Sequence, residues 1–251
     1  MPPATSRALG YELLAATGRY DMAVVISDSM KDIVLTGAAI RCRRLLRGAY
    51  ALADTGLGSE ATILVRTITE YVITIGWMLV DPDYHLARWG IKDIDMRMVI
   101  HNEVHAIHPE VEILTEDTRA QLRAERARLV AICGDRRTDF PSVKRRAAVA
   151  EDEGHIEGMR GWYALPYRAD SQAAVHPMIW AIEMMMESHP GTGGVVIHPD
   201  VAPGRAQVDV YRTAAHLLGV LLLVIANEND DQALHDRIVR ILDQLPPKRE
   251  I

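Results

Sequence analysis

Residues 61–80, ATILVRTITEYVITIGWMLV, are apolar almost throughout and yet carry Arg66 and Glu70. A helix this apolar on every side does not lie on a water-facing surface; it is enclosed by protein or by lipid. Each charge at the centre of a bilayer costs about 2.5–3.5 kcal/mol on insertion scales, which favours protein. The sequence therefore predicts a central, buried helix over residues 60–78. A second apolar run, 217–226, is too short to span a membrane and reads as the core of another buried helix, 208–227. On the first helix the polar exceptions are not scattered. Glu60, Arg66, Thr67, Glu70 and Thr74 fall within an arc of roughly 120°. Arg66 and Glu70 are one turn apart and can pair, although with Arg first the order is the weaker one. Buried charge must be paired and hydrogen-bonded, so this arc is expected to meet polar partners elsewhere, with Tyr167, Arg168 and Ser171 the natural candidates.

Those candidates begin the stretch YRADSQAAVHPMIWAIEMMM, residues 167–186, which reads as a helix with its polar groups in the first turns. Pro166 suits the first helical position, where a missing N–H costs nothing. Tyr167, Ser171 and Met178 line one face; Arg168, Gln172 and His176 line a neighbouring one. Arg168 sits at the positive end of the helix dipole, where a cation is disfavoured. Its guanidinium is expected to answer to a carboxylate on another helix or to a phosphate. Pro177 kinks the chain after His176 and turns the imidazole outward. The plainer reading is a surface histidine before a kink and an arginine in a structural ion pair.

The remaining pattern is helical: 6–16, 21–53 (divisible around Thr36-Gly37), 84–107, the charged 115–132 with Thr115 as N-cap, a short helix opened by Pro141, and the amphipathic 232–245. Residues 54–59, 151–166 and 188–204 read as turn or loop; within the last, 195–197 has strand character but too little for a sheet. The fold class predicted is all-α: a multi-helix bundle with 60–78 at its centre packed on 167–186, one domain over 1–251 with 1–32 as a helical extension at its start.

A net charge of −6 argues against a general nucleic-acid binder. A locally basic region, Arg136, Arg137, Lys144, Arg145 and Arg146, could still steer a polyanion or simply be solvated. Aromatics at 5% argue against a base-stacking platform. Cys42 and Cys133 are expected as free thiols in a reducing compartment. The first residues have no apolar leader segment, so a cytoplasmic location is expected. His101, His105 and His108 share a helix face, either as a solvated patch or as a metal site; HNEVH lacks the Glu placement of the zinc-protease motif. Arg212 and His216 repeat the Arg/His theme, with His216 read as a core histidine.

Three pieces together carry a resemblance: residues 56–79, residues 167–177, and a late apolar helix in an all-helical chain. They resemble a bacterial family of uncharacterised helical domains and, more distantly, the HEPN superfamily. That resemblance implies a helical homodimer acting on RNA as a metal-independent endoribonuclease, with no cofactor, in a toxin or phage-defence setting. It assigns His176 as general acid/base and Arg168 as the group holding the scissile phosphate. Ser171 and Tyr167 would bond the phosphate or orient the histidine, Gln172 would line the same face, and Arg66 and Glu70 would support them. Arg168 and His176 stand further apart than the superfamily motif has them, and Ala169 replaces its usual polar residue. The alternative is a non-catalytic helical domain that binds a protein partner or a small ligand.

Overall fold

The computed structural model describes residues 3–20, 29–154, 156–164, 167, 186–188, 195–197 and 209–245. Among these are nine α-helices. They are α1 (Pro3–Ala16), α2 (Met30–Asp54), α3 (Gly58–Val80), α4 (Pro82–Ile107), α5 (Glu116–Cys133), α6 (Val143–Asp152), α7 (Met159–Trp162), α8 (Val210–Glu228) and α9 (Gln232–Leu242). The fold is all-α, as the periodicity predicts. Side chains start several of the helices by accepting an otherwise orphaned N–H: Ser29 from Asp32, Thr115 from Thr118, Ser142 from Arg145, Asp209 from Arg212 and Asp231 from Leu234.

The centre is α3. Its Val65, Ile68, Val72, Ile73, Ile75, Trp77 and Met78 are all buried. Helix α2 lies along it on one side and α6 on another, while α8 packs on both α2 and α3. The apolar face of α8 (Leu217, Leu218, Leu221, Leu222, Ile225) joins the same core, and α1 and α9 cover α8. Both α3 and α8 are long and apolar enough to cross a membrane; in each, 56% of the apolar window is buried inside the fold, so most of that surface already has a protein partner. The 217–226 run lies within a helix of 19 residues, close to the predicted 208–227; what the run alone did not suggest is that this helix is long enough to span a bilayer.

Helices α4 and α5 pair with each other and hold a separate, smaller core of Ala87, Ile91, Ile94, Leu129 and Cys133. Close helix approach in the main core depends on absent side chains. A Cβ at Gly76 would stand 2.8 Å from Met159 Cε and 2.9 Å from Ile156 Cδ1, so this glycine lets α7 and the end of α6 close onto α3.

Several expected details are corrected. Helix α2 runs unbroken through Gly37. The 151–166 loop contains the end of α6 and all of α7, followed by a π-helical turn at 163, 164 and 167. The expected helix 167–186 does not extend to its last residue, because Met186–Ser188 is a strand (β1) that pairs antiparallel with Val195–Ile197 (β2). Within the expected 188–204 loop, 195–197 is the strand its residues suggest, and Met186–Ser188 gives it a partner. Most of 167–186 lies outside the described residues, and so does its expected packing on α3.

Candidate functional site

The polar arc of α3 meets partners from two directions. On one side, Arg146 of α6 enters the core: its side chain is 4% exposed. Its Nη2 donates to Glu70 Oε1 at 2.9 Å, and its Nη1 donates to the Thr74 hydroxyl. Thr74 in turn donates to the Glu70 carbonyl at 2.6 Å. The guanidinium also lies over the Phe140 ring, 4.4 Å from its centroid. Burial lowers the Arg146 pKa from its ordinary value, and Glu70 works against that by favouring the charged form. Glu70 itself stays 42% exposed, so water still reaches the carboxylate.

On the other side, Arg66 reaches Tyr167. Arg66 Nη2 donates to the Tyr167 hydroxyl at 3.1 Å, and its guanidinium lies 4.5 Å from the Tyr167 ring centroid. Tyr163 stacks on Tyr167 at 5.7 Å from one turn earlier. Tyr167 is also near enough to Arg146 to favour its charged form. Among the described residues the seam gathers two guanidinium groups against one carboxylate, an excess of positive charge. The buried Nε atoms of Arg66 and Arg146 have no hydrogen-bond partner among the described residues. That balance suits an anion rather than a metal ion. Among the described residues no group of three or more His, Cys, Asp or Glu is placed to hold a metal.

The structure therefore brings together Arg66, Glu70 and Tyr167, as expected, but not in the expected pairing. Glu70 is taken by Arg146 rather than by Arg66, because a neighbouring helix offers a fork with two donors while the Arg-first spacing along one helix is a poor one. Arg168, Ser171, Gln172 and His176 lie outside the described residues. Arg146 is the residue that sequence reasoning placed on the surface. The signal was present: Arg146 stands at the position of the apolar stripe Val143, Ala147 and Ala150 where an inward residue is due, and both of those alanines are buried. The basic region is broken up accordingly. Arg146 is inside; Arg136 is exposed but paired with Asp81 at 2.6 Å, and Arg137, Lys144 and Arg145 are exposed as well.

The histidine patch separates in the same way. His101 is buried, and its Nδ1 accepts from the Leu114 N–H at 3.3 Å. His105 stacks on it at 5.8 Å, while His108 sits beyond the helix end beside Glu110. His216 is half-buried, edge-on to Trp162. Cys42 and Cys133 are free and buried, and burial raises the pKa of both thiols.

Fold and seam together define an all-helical domain whose central helix shares a charged junction with α6 and Tyr167. A family of unknown function, DUF5677, matches residues 32–193, and the chain belongs to it. Searches of the curated proteins and of the solved structures returned no match.

Proposed function

We propose that the chain is an HEPN-like, metal-independent endoribonuclease, working in a toxin or phage-defence setting. The observation that supports this reading is the excess of positive charge among the described residues of the seam, whose Tyr167 leads in sequence into the stretch with Arg168, Ser171 and His176. A phosphodiester is the anion this chemistry would take. His176, with an ordinary pKa near 6.5, would remove the proton from the ribose 2′-hydroxyl. The 2′-oxygen then bonds to phosphorus as the bond to the 5′-oxygen breaks, and the leaving oxygen takes up a proton. Arg168 would balance charge on the phosphate oxygens, and Ser171 and Gln172 would donate to them. Arg66 would hold Tyr167, and Arg146 would hold Glu70, as supports.

The test is cleavage of structured and single-stranded RNA by purified wild type and His176→Ala in the presence of a chelator. The expected outcome is cleavage by wild type and a loss of roughly 10²–10⁴-fold in the variant, with unchanged helicity. Equal activity of the two, or no cleavage by wild type, would overturn the reading. One observation favours a non-catalytic binding domain instead: Arg146 bonds to both Glu70 and Thr74 and joins α6 to α3, as a structural network does. Under that alternative His176→Ala leaves partner or ligand binding intact.

A further inference from the structure

We infer that the outer face of α4 is the docking surface for a second copy of this chain. In that pairing two α4 helices lie antiparallel, with Lys92 of each against Glu103 of the other. Helix α4 has two apolar faces. One is spent on α5, through Ala87, Ile91, Ile94 and Met98. At about 100° per residue, Met96, Val99, Ile100 and Ile107 fall on the opposite side, and all four are exposed, Ile107 at 73%. A lone exposed apolar residue needs no explanation, whereas a contiguous stripe does.

The charges on that stripe indicate what covers it. Asp93 is paired with Arg97 at 2.8 Å, and Asp95 with Arg126 at 2.7 Å. Lys92 and Glu103 are exposed and make no ion pair among the described residues. The series Lys92, Met96, Val99, Glu103 advances by steps that keep all four within an arc of about 60°. Its chemistry reads cation, apolar, apolar, anion. A two-fold axis between Met96 and Val99 sets Met96 on Val99 and Lys92 on Glu103, twice over, which is the self-complementary contact a symmetric dimer requires. A parallel pairing would set lysine on lysine and glutamate on glutamate. Ile100 and Ile107 border the same stripe and extend the apolar contact. The surface belongs to the α4–α5 hairpin rather than to the seam, so the inference stands apart from the ribonuclease reading.

The test is sedimentation velocity of the full chain over a concentration series. Wild type is expected to show a concentration-dependent dimer, and Val99→Glu to be monomeric with unchanged helicity. Lys92→Glu and Glu103→Lys, each alone, are expected to weaken self-association by roughly tenfold. An equimolar mixture of these two single variants restores both charge pairs and is expected to associate as wild type does. A wild type that stays monomeric at every concentration overturns the inference. So does a dimer that survives Val99→Glu, or a mixture that associates no more tightly than either variant alone.

Discussion

Arg146 keeps its charge in the core because Glu70 and Thr74 take its two terminal nitrogens and Phe140 lies beneath its plane. The asymmetry of the pair, an almost enclosed cation and a carboxylate still in contact with water, sets the order of the substitutions. Glu70→Ala strands a buried guanidinium. Breaking a fully buried pair costs about 3–5 kcal/mol, and the exposed carboxylate reduces that here to about 1–2 kcal/mol. Arg146→Ala removes the clamp and opens a cavity as well, for about 2–4 kcal/mol. Arg146→Met refills the space without charge and is expected within about 1 kcal/mol of wild type. Urea unfolding of the three variants checks the ranking, and Glu70→Ala costing more than Arg146→Ala would contradict it. The lesson for reading such a chain is specific. The need for partners to the α3 arc followed from the cost of burying Arg66 and Glu70, so the arc was legible. Which arginine answered Glu70 was not, because KRR in isolation looks like solvated charge and only the turn-to-turn spacing on α6 points the third of these residues inward.

A second residue carries a pH dependence. His85 is buried and stacked on Trp77, with ring centroids 4.1 Å apart, and its Nδ1 donates to the Trp77 carbonyl at 2.6 Å. Burial lowers its pKa, and the hydrogen bond to Trp77 only partly offsets that. The unfolded chain therefore binds a proton near pH 6.5 that the folded chain resists. Stability is complete above about pH 6.5 and declines as pH falls below it. His85→Asn keeps a donor near the Nδ1 position and removes the titration. Its chemical-denaturation midpoint is expected to lie below wild type at pH 7.5, but to change less between pH 6.5 and 5. An unchanged pH slope would place the titration elsewhere.

Among the elements, those with a strong period and a clear cap were readable nearly to their ends. The predicted 115–132 is α5, Glu116–Cys133, and the predicted 84–107 is α4, Pro82–Ile107. Thr115 and Pro82 announce those starts chemically. Helix α7 and the pairing of β1 with β2 were not readable, although 195–197 was legible as a strand. The first is four residues long in a Gly-containing stretch. The second joins three-residue strands whose hydrogen bonds come from each other, and so carry little local signal. The docking of α6 and α7 on α3 leaves little room beside Gly76. Gly76→Ala meets the flexible ends of Met159 and Ile156 and comes into ordinary contact with Ala150 Cβ at 3.4 Å, and it gains about 1 kcal/mol of helix propensity, so it is expected to be close to neutral. Gly76→Val adds bulk that those ends cannot yield to and is expected to cost about 1–3 kcal/mol. Thermal unfolding of both variants separates the two effects, and a Gly76→Val variant as stable as wild type would show that α7 is not held against α3 at this point.

At the scale of the whole molecule, the helices fall into a main core around α3 and a satellite core between α4 and α5. Periodicity showed that 60–78 and 208–227 are both enclosed, and could not show that they enclose each other. Helices α1, α8 and α9 lie outside the matched segment 32–193. A fragment of residues 32–193 is expected to bind a hydrophobic dye and unfold without cooperativity, and addition of residues 209–245 in trans is expected to reduce the dye signal. Cooperative unfolding of the fragment alone would contradict this.

Helix α8 therefore separates ancestry from autonomy. The stretch by which this chain is grouped with its kin lacks the rod that shields its own middle, and a shuffled or trimmed gene that respected the kinship boundary would encode half of an interior.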